Sequence, residues 1–600
     1  MSEHLPLTPD AEWAPGEWHR NIEECIACVA LAITVLCTSW GVFTRYVSAQ
    51  PATWAAEIAA AGFCWVIFFG GAAVYKRADH VSIDVLVVRL PTRLRRAIAI
   101  SADLLVLVFL IGTSWLASVY TANSWDSPMP SLRWPYSIHY AGAALGLMAM
   151  TLRHAQSAWR RQVLANELPE RAMEYLPLLL MLVLFALNVP VAMAMGIGAI
   201  SYFVFKADEL PLELFAQRLI SATDSFPLLA VPFFILASVI MNHAGITRRL
   251  MALAESLVGH MTGALAQVNV LVSTLMGGLS ASANADAAMD AKMLGPQMIR
   301  HGYSPAFAAA ISACSAVITP IIPPGIGFII YGFIADVSIG RLFMSGVVPG
   351  LMLCVFLMVA VHLIARTRGY KAQRSTRAKP AEIWRAFVDA LGALSILLFI
   401  MFGIRYGIFT PTEAGALAAV YAIFIGTVWH RELKVAHIFP ILVESVLAVS
   451  VVMLIICCAT AFGYYMTWER IPPRIAVWIV SMTQDKYVLL FLINLLLLIV
   501  GMLIEGTAAL ILLTPILVPV ALKIGVDPVQ FGLIMVLNLT IGGVTPPVGT
   551  LMFTTCSILR VPLQDFTREA LPFIAAMFMV LLLVTYIPAL SLWLPNLVFK

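Results

Sequence analysis

The chain has 600 residues, of which 61% are hydrophobic and only 12% are charged, and its mean hydropathy is +0.91. Soluble domains carry roughly 25% charged residues, so this composition excludes an ordinary soluble protein. The net charge of +4 is small for this length, and no nucleic-acid partner is predicted from it. Apolar runs of membrane-spanning length, ~20 residues, recur along the chain and predict an all-α polytopic membrane protein surrounded by lipid.

Four apolar runs at the start of the chain predict a small four-helix membrane unit. These runs are Val29–Val47, Trp54–Tyr75, Ala97–Tyr120 and Tyr140–Ala158. Lysine and arginine cluster after the second and the fourth run, and the positive-inside bias therefore places the N-terminus and residue 160 in the cytoplasm. The polar stretch 161–175 is predicted to be a cytoplasmic linker between this unit (1–160) and a larger unit (176–600).

Further apolar runs fill the larger unit. They are Leu176–Phe205, Phe226–Met241, Met344–Ala365, Leu391–Arg405, Gly415–Trp429, Ile441–Tyr465 and Leu571–Leu594. The first of them either crosses the membrane once or folds into two short helices at Asn188-Val189-Pro190, and the sequence leaves both possibilities open. A basic segment between Arg366 and Lys379 is predicted to face the cytoplasm.

Glycine and proline residues of the larger unit repeat at a constant spacing in the sequence. Gly278, Pro296, Gly302, Pro305 and Pro323 are matched by Gly501, Pro519, Gly525, Pro528 and Pro546, and each pair of residue numbers differs by 223. Since glycine and proline determine backbone geometry, the repeated feature is a shape: an interrupted helix, a turn and another interrupted helix. Two interrupted helices in corresponding positions of a membrane chain indicate the binding site of a transporter.

Each copy begins with an apolar segment that is broken at its centre. The segments are Ala264–Met298 and Tyr487–Ala521, and the breaks lie near residues 277–284 and 501–507. A straight helix of such a length, at ~1.5 Å per residue, would exceed one bilayer crossing. We therefore predict two re-entrant helical hairpins, about 264–298 and 487–521. Basic flanks on the first and acidic flanks on the second predict an inverted repeat.

After each hairpin comes a helix that is interrupted by a double proline, Pro323-Pro324 and Pro546-Pro547. Prolines remove backbone donors, and carbonyls left unpaired at membrane depth line a cavity or bind something. Neutral oxygen ligands suit a hard monovalent cation, so each hairpin tip with its neighbouring break is a candidate sodium site. The N-termini of the half-helices would favour an anionic substrate.

Several ionisable residues lie near the predicted hairpin tips. Glu505 is a functional candidate because a carboxylate at the centre of a hairpin is costly, and its alternative role is to accept a hydrogen bond in the turn. Asp286 has a functional and a structural interpretation of similar weight. Asp290 and Lys292 are interpreted as the polar cytoplasmic end of a hairpin arm.

A set of motifs indicates a known family. In the second half these are Leu279–Ala288, Pro296-Gln297-Met298, Gly302-Tyr303, Ile322-Pro323-Pro324, Phe409–Gly415 and Thr545–Gly549; upstream are Arg45-Tyr46-Val47 and His80–Asp84. With them the chain resembles the tripartite ATP-independent periplasmic (TRAP) transporters whose small and large membrane subunits are fused. It departs from the family pattern at Ala281, where glycine is common, and at Gly325, where serine is common. Both departures concern the first sodium site.

The resemblance implies sodium-coupled import of a carboxylate, delivered by a periplasmic substrate-binding protein, across the bacterial inner membrane by a multi-pass, elevator-type transporter. The first sodium site would comprise Ser280, Ser282, Asn284, Pro323 and Gly325, and the second Glu505, Gly506, Thr507, Thr545, Pro546 and Gly549. Candidate substrate contacts are Asp286, Thr319 and Thr550. The four-helix unit would act as a scaffold, and by analogy it would allow a monomer.

Two other classes of protein fit the residues less well. A self-sufficient sodium–carboxylate symporter or ion antiporter could share the hairpins, but it has no obvious need of the N-terminal four-helix unit. An enzyme is not predicted, because the sequence contains no paired His/Glu metal motif, no G-x-S-x-G turn and no P-loop. The sequence does not identify the substrate or the sodium stoichiometry.

Overall fold

The computed structural model describes residues 22–46, 52–77, 92–159, 176–187, 189–205, 210–277, 282–374, 376–482, 485–546 and 549–599. Over these residues the chain is helical and forms no β-strand, which confirms the predicted all-α class. The first half contains α1 (Ile22–Tyr46), α2 (Thr53–Arg77), α3 (Thr92–Asn123), α4 (Ser137–Trp159), α5 (Leu176–Ala186), α6 (Val191–Phe205), α7 (Glu213–Ser221), α8 (Ala230–His243), α9 (Ile246–Val258), α10 (Ala264–Met276), α11 (Ala283–Met293), α12 (Gly295–Arg300), α13 (Pro305–Ser315), α14 (Ile326–Ile334) and α15 (Ile339–Arg368).

The second half contains α16 (Pro380–Arg405), α17 (Pro411–Phe424), α18 (Ile438–Trp468), α19 (Ile471–Met482), α20 (Lys486–Leu503), α21 (Gly506–Lys523), α22 (Pro528–Gly542), α23 (Thr550–Leu559), α24 (Leu563–Tyr586) and α25 (Ala589–Val598). Among the described residues, 11 helices are long and apolar enough to cross a membrane. The chain is thus a polytopic helical membrane protein.

The four predicted N-terminal helices are present as α1–α4, and α2 packs against both α1 and α4. The predicted linker, 161–175, lies outside the described residues, so the division at that segment stays a prediction. Side-chain contacts between described residues join α1–α4 to the rest of the chain. Arg45 forms an ion pair with Glu413, Ser450 Oγ donates to the Val66 carbonyl at 3.1 Å, and His139 Nε2 lies 3.0 Å from Thr223 Oγ1.

Two apolar runs of the larger unit are each divided into two helices. The run from Leu176 to Phe205 forms α5 and α6, and α6 folds back on α5 so closely that a Cβ on Gly198 would lie 2.9 Å from the Pro177 carbonyl oxygen. The alternative with two short helices is therefore correct. The run Leu571–Leu594 is likewise divided, because α24 ends at Tyr586 and Pro588 caps the separate helix α25.

The helices of the two repeat copies in the larger unit begin at matching positions. Helix α21 begins at residue 506 and α11 at residue 283, an offset of 223, and the same offset separates the starts of α22 (528) and α13 (305). The pairs α9 and α19, α14 and α23, and α15 and α24 begin within two residues of that offset. The repeat seen in glycine and proline is therefore a repeat of helices, and it extends beyond the motifs that revealed it.

The first predicted hairpin reverses direction at its break. Ser273 of α10 donates a 2.8 Å hydrogen bond to Asp290 of α11, 17 residues further along the chain. In a continuous helix these residues would be ~25 Å apart at 1.5 Å per residue. Helices α10 and α11 therefore fold back on each other as the two arms of a hairpin.

The second break consists of two residues. Ile504 (φ −120°, ψ 144°) and Glu505 (φ −57°, ψ 137°) are extended residues between α20 and α21, and both helices contact the backbone of α22 near Leu539 through Gly501 and Gly506. Whether either hairpin enters and leaves one membrane face, and whether the two repeats are inverted, stay predictions.

Candidate functional site

The N-termini of four half-helices meet at one cavity of about 400 Å³. Each helix contributes residues at or next to its first position. They are Ser282–Ala285 at α11, Glu505–Thr507 at α21, Thr550 at α23 and Ile326 at α14. These helices are two repeat-related pairs, α11 with α21 and α14 with α23. Backbone N–H groups and the positive ends of helix dipoles therefore converge on the cavity, which is an arrangement that favours negative charge.

Helices α8 and α18 form the opposite wall. Their polar contributions are Ser238 and Asn242 from α8 and Glu444 from α18, set among apolar residues such as Val451 and Ile455. The Glu444 side chain is 57% exposed, and its Oε2 lies 3.2 Å from His243 Nε2. The cavity thus lies between the broken helices of the repeat on one side and helices α8 and α18 on the other.

The described residues that line the cavity include acidic but no cationic side chains. Among the described residues that line it, the ionisable ones are Glu444 and Glu505, and none is lysine or arginine. The neighbouring segments 278–281 and 547–548 contain no basic residue either, as their sequence shows. Any anion held in this cavity would consequently be bound by helix N-termini, hydroxyl and amide groups, or a cation that enters with it.

The hairpin tips are organised by helix capping. Ser282 is the N-cap of α11 and accepts from the Ala285 N–H at 3.4 Å, and Glu505 is the N-cap of α21 and accepts from the Ala508 N–H at 3.0 Å. Beside the first cap, the buried Oδ1 of Asn284 has no hydrogen-bond partner in the described part of the chain. An unpartnered amide oxygen next to a helix cap is a suitable ligand for a hard cation such as sodium.

The glycines at the breaks differ in the space around them. A Cβ on Gly325 would lie 2.1 Å from the Pro320 carbonyl oxygen, and one on Gly549 would lie 2.6 Å from the Gly543 carbonyl oxygen. At Gly506 the nearest atom would be 3.8 Å away, at ordinary van der Waals distance. In this structure a side chain at position 325 would therefore collide with the Pro320 carbonyl unless the backbone shifted.

The structure brings six of the predicted site residues to the cavity. These are Ser282, Asn284, Glu505, Gly506, Thr507 and Thr550. Seven others do not line it: Pro323, Gly325, Thr545, Pro546, Gly549, Asp286 and Thr319. Ser280 lies outside the described residues. The predicted sodium ligands are thus placed in the same region, at the tips and the breaks, and the sodium sites themselves stay predictions.

Two carboxylates lie buried behind the cavity. Asp286 accepts a 2.6 Å hydrogen bond from Thr319 Oγ1, and Asp290 accepts the bond from Ser273; both aspartates are 1% exposed. Asp286 and Thr319 therefore contact each other instead of the cavity. The interpretation of Asp290 as a polar helix end was wrong, because it lies inside the helix packing, whereas Lys292 is exposed as expected.

Sequence reasoning missed the α8 and α18 wall. Asn242 and Glu444 belong to no glycine or proline motif, and each lies in a helix with ordinary spacing. The available signal for Glu444 was a carboxylate within the apolar run Ile441–Tyr465, since intramembrane ionisable residues are functional candidates by default.

The family assignment follows from comparison with known sequences. The profile of the tripartite ATP-independent periplasmic transporter DctM component matches residues 178–590, and that of the DctQ component matches residues 34–164. The chain therefore belongs to the TRAP transporter family and is a permease in which the small (DctQ) and large (DctM) components are fused. It is a multi-pass protein of the inner membrane.

Three relatives illustrate the match. The isethionate TRAP transporter permease protein DctMQ of Oleidesulfovibrio alaskensis is 34% identical, with 96% of this chain and 95% of the relative covered. The sialic acid TRAP transporter permease protein SiaT of Haemophilus influenzae is 31% identical over 93% of this chain and 95% of its own. The large permease protein SiaM of Vibrio cholerae is 39% identical and covers 69% of this chain and 96% of its own length.

Proposed function

We propose that this permease imports an organic acid that a periplasmic substrate-binding protein delivers, in symport with sodium. The observation that carries the proposal is the convergence of four half-helix N-termini, in two repeat-related pairs, on one cavity. Relatives with permease names that include isethionate, sialic acid and C4-dicarboxylate support an acidic substrate class. The choice among such acids is not determined by the residues of the cavity.

Sodium coupling is supported by the charge of the cavity. An acid that enters a site with Glu444 and Glu505 and without a basic side chain would add to a negative potential. Sodium bound at the tips, near Asn284 and Thr507, would supply the missing positive charge, so acid and cation would each improve the binding of the other. No step of this coupling depends on a transition metal.

An elevator movement is supported by the two unlike walls. The half-helices of the repeat would move as one unit. Helix α18, which contacts α2 through Ser450, and α8, which packs against α18, would stay with the scaffold. The cavity at the boundary would then be exposed to one side of the membrane at a time.

The test is uptake by the purified chain in proteoliposomes, with a panel of radiolabelled organic acids. Each acid is assayed with and without an inward sodium gradient and with and without the cognate binding protein. Uptake that requires both sodium and the binding protein supports the proposal. Uptake with sodium alone would establish a self-sufficient symporter, and uptake independent of sodium would overturn the coupling.

A matched pair of variants tests the cavity itself. Thr507 is in the first turn of α21 and lines the cavity. In Thr507→Asp the new negative charge is stabilised by the helix dipole but repels an anion in the cavity. Thr507→Asn has a similar volume and no charge. We expect uptake to be lost in the first variant and largely kept in the second, with equal thermal stability. Equal uptake by both would remove this cavity as the anion site.

A further inference from the structure

Asp286 and Asp290 form a buried acidic pair that the transport site does not use. They are four residues apart on α11, so their side chains lie on one face of that helix. Both aspartates are 1% exposed. Ser273 donates a hydrogen bond to Oδ2 of Asp290, and Thr319 donates one to Oδ2 of Asp286. The pair joins α11 to α10 and to the segment that follows α13.

One oxygen of each carboxyl group remains without a partner. Oδ1 of Asp286 and Oδ1 of Asp290 are both buried and accept no hydrogen bond within the described structure. Buried polar atoms are nearly always hydrogen-bonded, and buried charges are paired or bound to a cation. Two unsatisfied carboxylate oxygens on one buried face therefore indicate that a positively charged species belongs between them.

The surrounding helices supply no such species. Helices α10, α12, α13 and α23 pack against α11, and among the described residues no lysine, arginine or histidine forms an ion pair with either aspartate. The titratable or charged groups on these elements and on α11 itself are Arg300 and Lys292, both exposed, and the thiols Cys314 and Cys556. Two ionised carboxylates in this position would repel each other without compensation.

We propose that Asp290 is a proton-binding residue, which is protonated at neutral pH and donates a hydrogen bond to Oδ1 of Asp286. A single proton, taken from water, satisfies both orphaned oxygens and removes the repulsion. It also needs no space, and neither carboxyl group lines the 400 Å³ cavity.

The helix dipole assigns the proton to Asp290 instead of Asp286. Asp286 is in the first turn of α11, where the dipole stabilises an anion, and it accepts a short bond from Thr319. Asp290 is in the last turn, where the dipole destabilises an anion. This assignment is independent of the transported substrate and of sodium coupling.

The first test is the infrared spectrum of the full-length chain in detergent at pH 7. A protonated carboxyl group has a C=O stretching band that carboxylates lack, and we expect Asp290→Asn to remove one such band. The asparagine amide can still donate to Asp286, so this variant keeps the buried hydrogen bond. Asp565→Asn, at an exposed site in the first turn of α24, is the control and should leave the band unchanged.

The second test is thermal unfolding as a function of pH. Above about pH 4, the ordinary range of aspartate, the unfolded chain has released this proton and the native chain still holds it. The free energy of unfolding should therefore fall as pH rises. Asp290→Asn should flatten this slope relative to the unaltered chain. A wild-type spectrum without a protonated-carboxyl band, a band that survives in Asp290→Asn, or equal pH slopes would each overturn the proposal. The first of these outcomes does not require any variant to fold.

Discussion

Ser282 and Glu505 perform the same structural role in the two copies of the repeat. Each is the N-cap of a half-helix at a hairpin tip, and each accepts a hydrogen bond from the backbone N–H three residues further on, at 3.4 Å and 3.0 Å. One cap is neutral and the other carries a carboxyl group, although both line the same cavity. The repeat thus preserves the local hydrogen bond and varies the charge, which allows the two roles of Glu505 to be separated.

The two roles of Glu505 are distinguished by replacing it with serine and with alanine. Glu505→Ala removes the cap and should cost about 1 kcal/mol of stability, whereas Glu505→Ser retains a capping oxygen and should cost little. If the charge serves sodium binding, both variants should lower the apparent sodium affinity of uptake equally. If only Glu505→Ala, the variant with the larger loss of stability, lowers the sodium affinity, Glu505 acts as a helix cap and not as a sodium ligand. Thermal unfolding and sodium titration of uptake measure the two effects.

Gly549, before α23, and Gly506, at the start of α21, should respond unequally to replacement by alanine. Gly549→Ala would place its methyl group 2.6 Å from the Gly543 carbonyl oxygen and must shift the start of α23, so uptake should fall at least tenfold. Gly506→Ala meets nothing closer than 3.8 Å and is the matched control. Initial uptake rates in proteoliposomes check this expectation. Equal rates for both variants would contradict a requirement for glycine at position 549.

Helices α20 and α22 cross with their backbones in contact. A Cβ on Gly542 would lie 2.5 Å from the carbonyl carbon of Gly501, so Gly542→Ala should destabilise the chain by about 1–3 kcal/mol through overpacking. Gly463→Ala, in the long helix α18, meets no atom within 4 Å and should be neutral. The midpoint of thermal unfolding in detergent measures the difference. A neutral Gly542→Ala would show that the two helices separate easily.

The ion pair between Arg45 and Glu413 joins the first helix to the start of α17. The Glu413 side chain is 3% exposed and also accepts from the Thr410 N–H, so it is held in place without Arg45, which is 49% exposed. Arg45→Met should therefore leave a buried carboxylate unpaired and cost about 1–2 kcal/mol, less than the 3–5 kcal/mol of a fully buried pair.

The double variant Arg45→Met with Glu413→Gln checks that explanation. Glutamine can still accept from Thr410 N–H but carries no charge, so the double variant should be more stable than Arg45→Met alone. Thermal unfolding of the unaltered chain, the single variants Arg45→Met and Glu413→Gln, and the double variant gives the coupling energy. A double variant less stable than both single variants would mean that packing, and not charge, determines the effect.

The sequence predicted the broken helices well because glycine and proline alter the backbone directly. The starts of α11 and α21 followed from the breaks at Gly278 and Gly501, and the double proline at Pro323 marks the break between α13 and α14. Apolar runs were less informative about where a helix ends. The run Leu571–Leu594 was interrupted by a single proline, Pro588, which composition alone did not distinguish from a tolerated membrane proline.

The site was only half predictable for a related reason. Its repeat wall is made by residues next to a break, such as Asn284 and Thr550, and a break can be recognised in a sequence. Its other wall depends on which faces of α8 and α18 meet the repeat, and that is determined by packing between helices that lie far apart in the chain. Asp290 was misread for the same reason, since Ser273 on the facing helix is what makes its position internal.

The contacts of α1–α4 with the larger part have a consequence for assembly. The Vibrio cholerae large permease matches 69% of this chain, whereas here the DctQ component (34–164) and the DctM component (178–590) share one polypeptide. Fusion turns a bimolecular association into an intramolecular one, with an effective concentration in the millimolar range. The contacts of Ser450 with Val66 and of His139 with Thr223 therefore need supply less binding energy here, and the fused chain can tolerate interface substitutions that would dissociate two separate subunits.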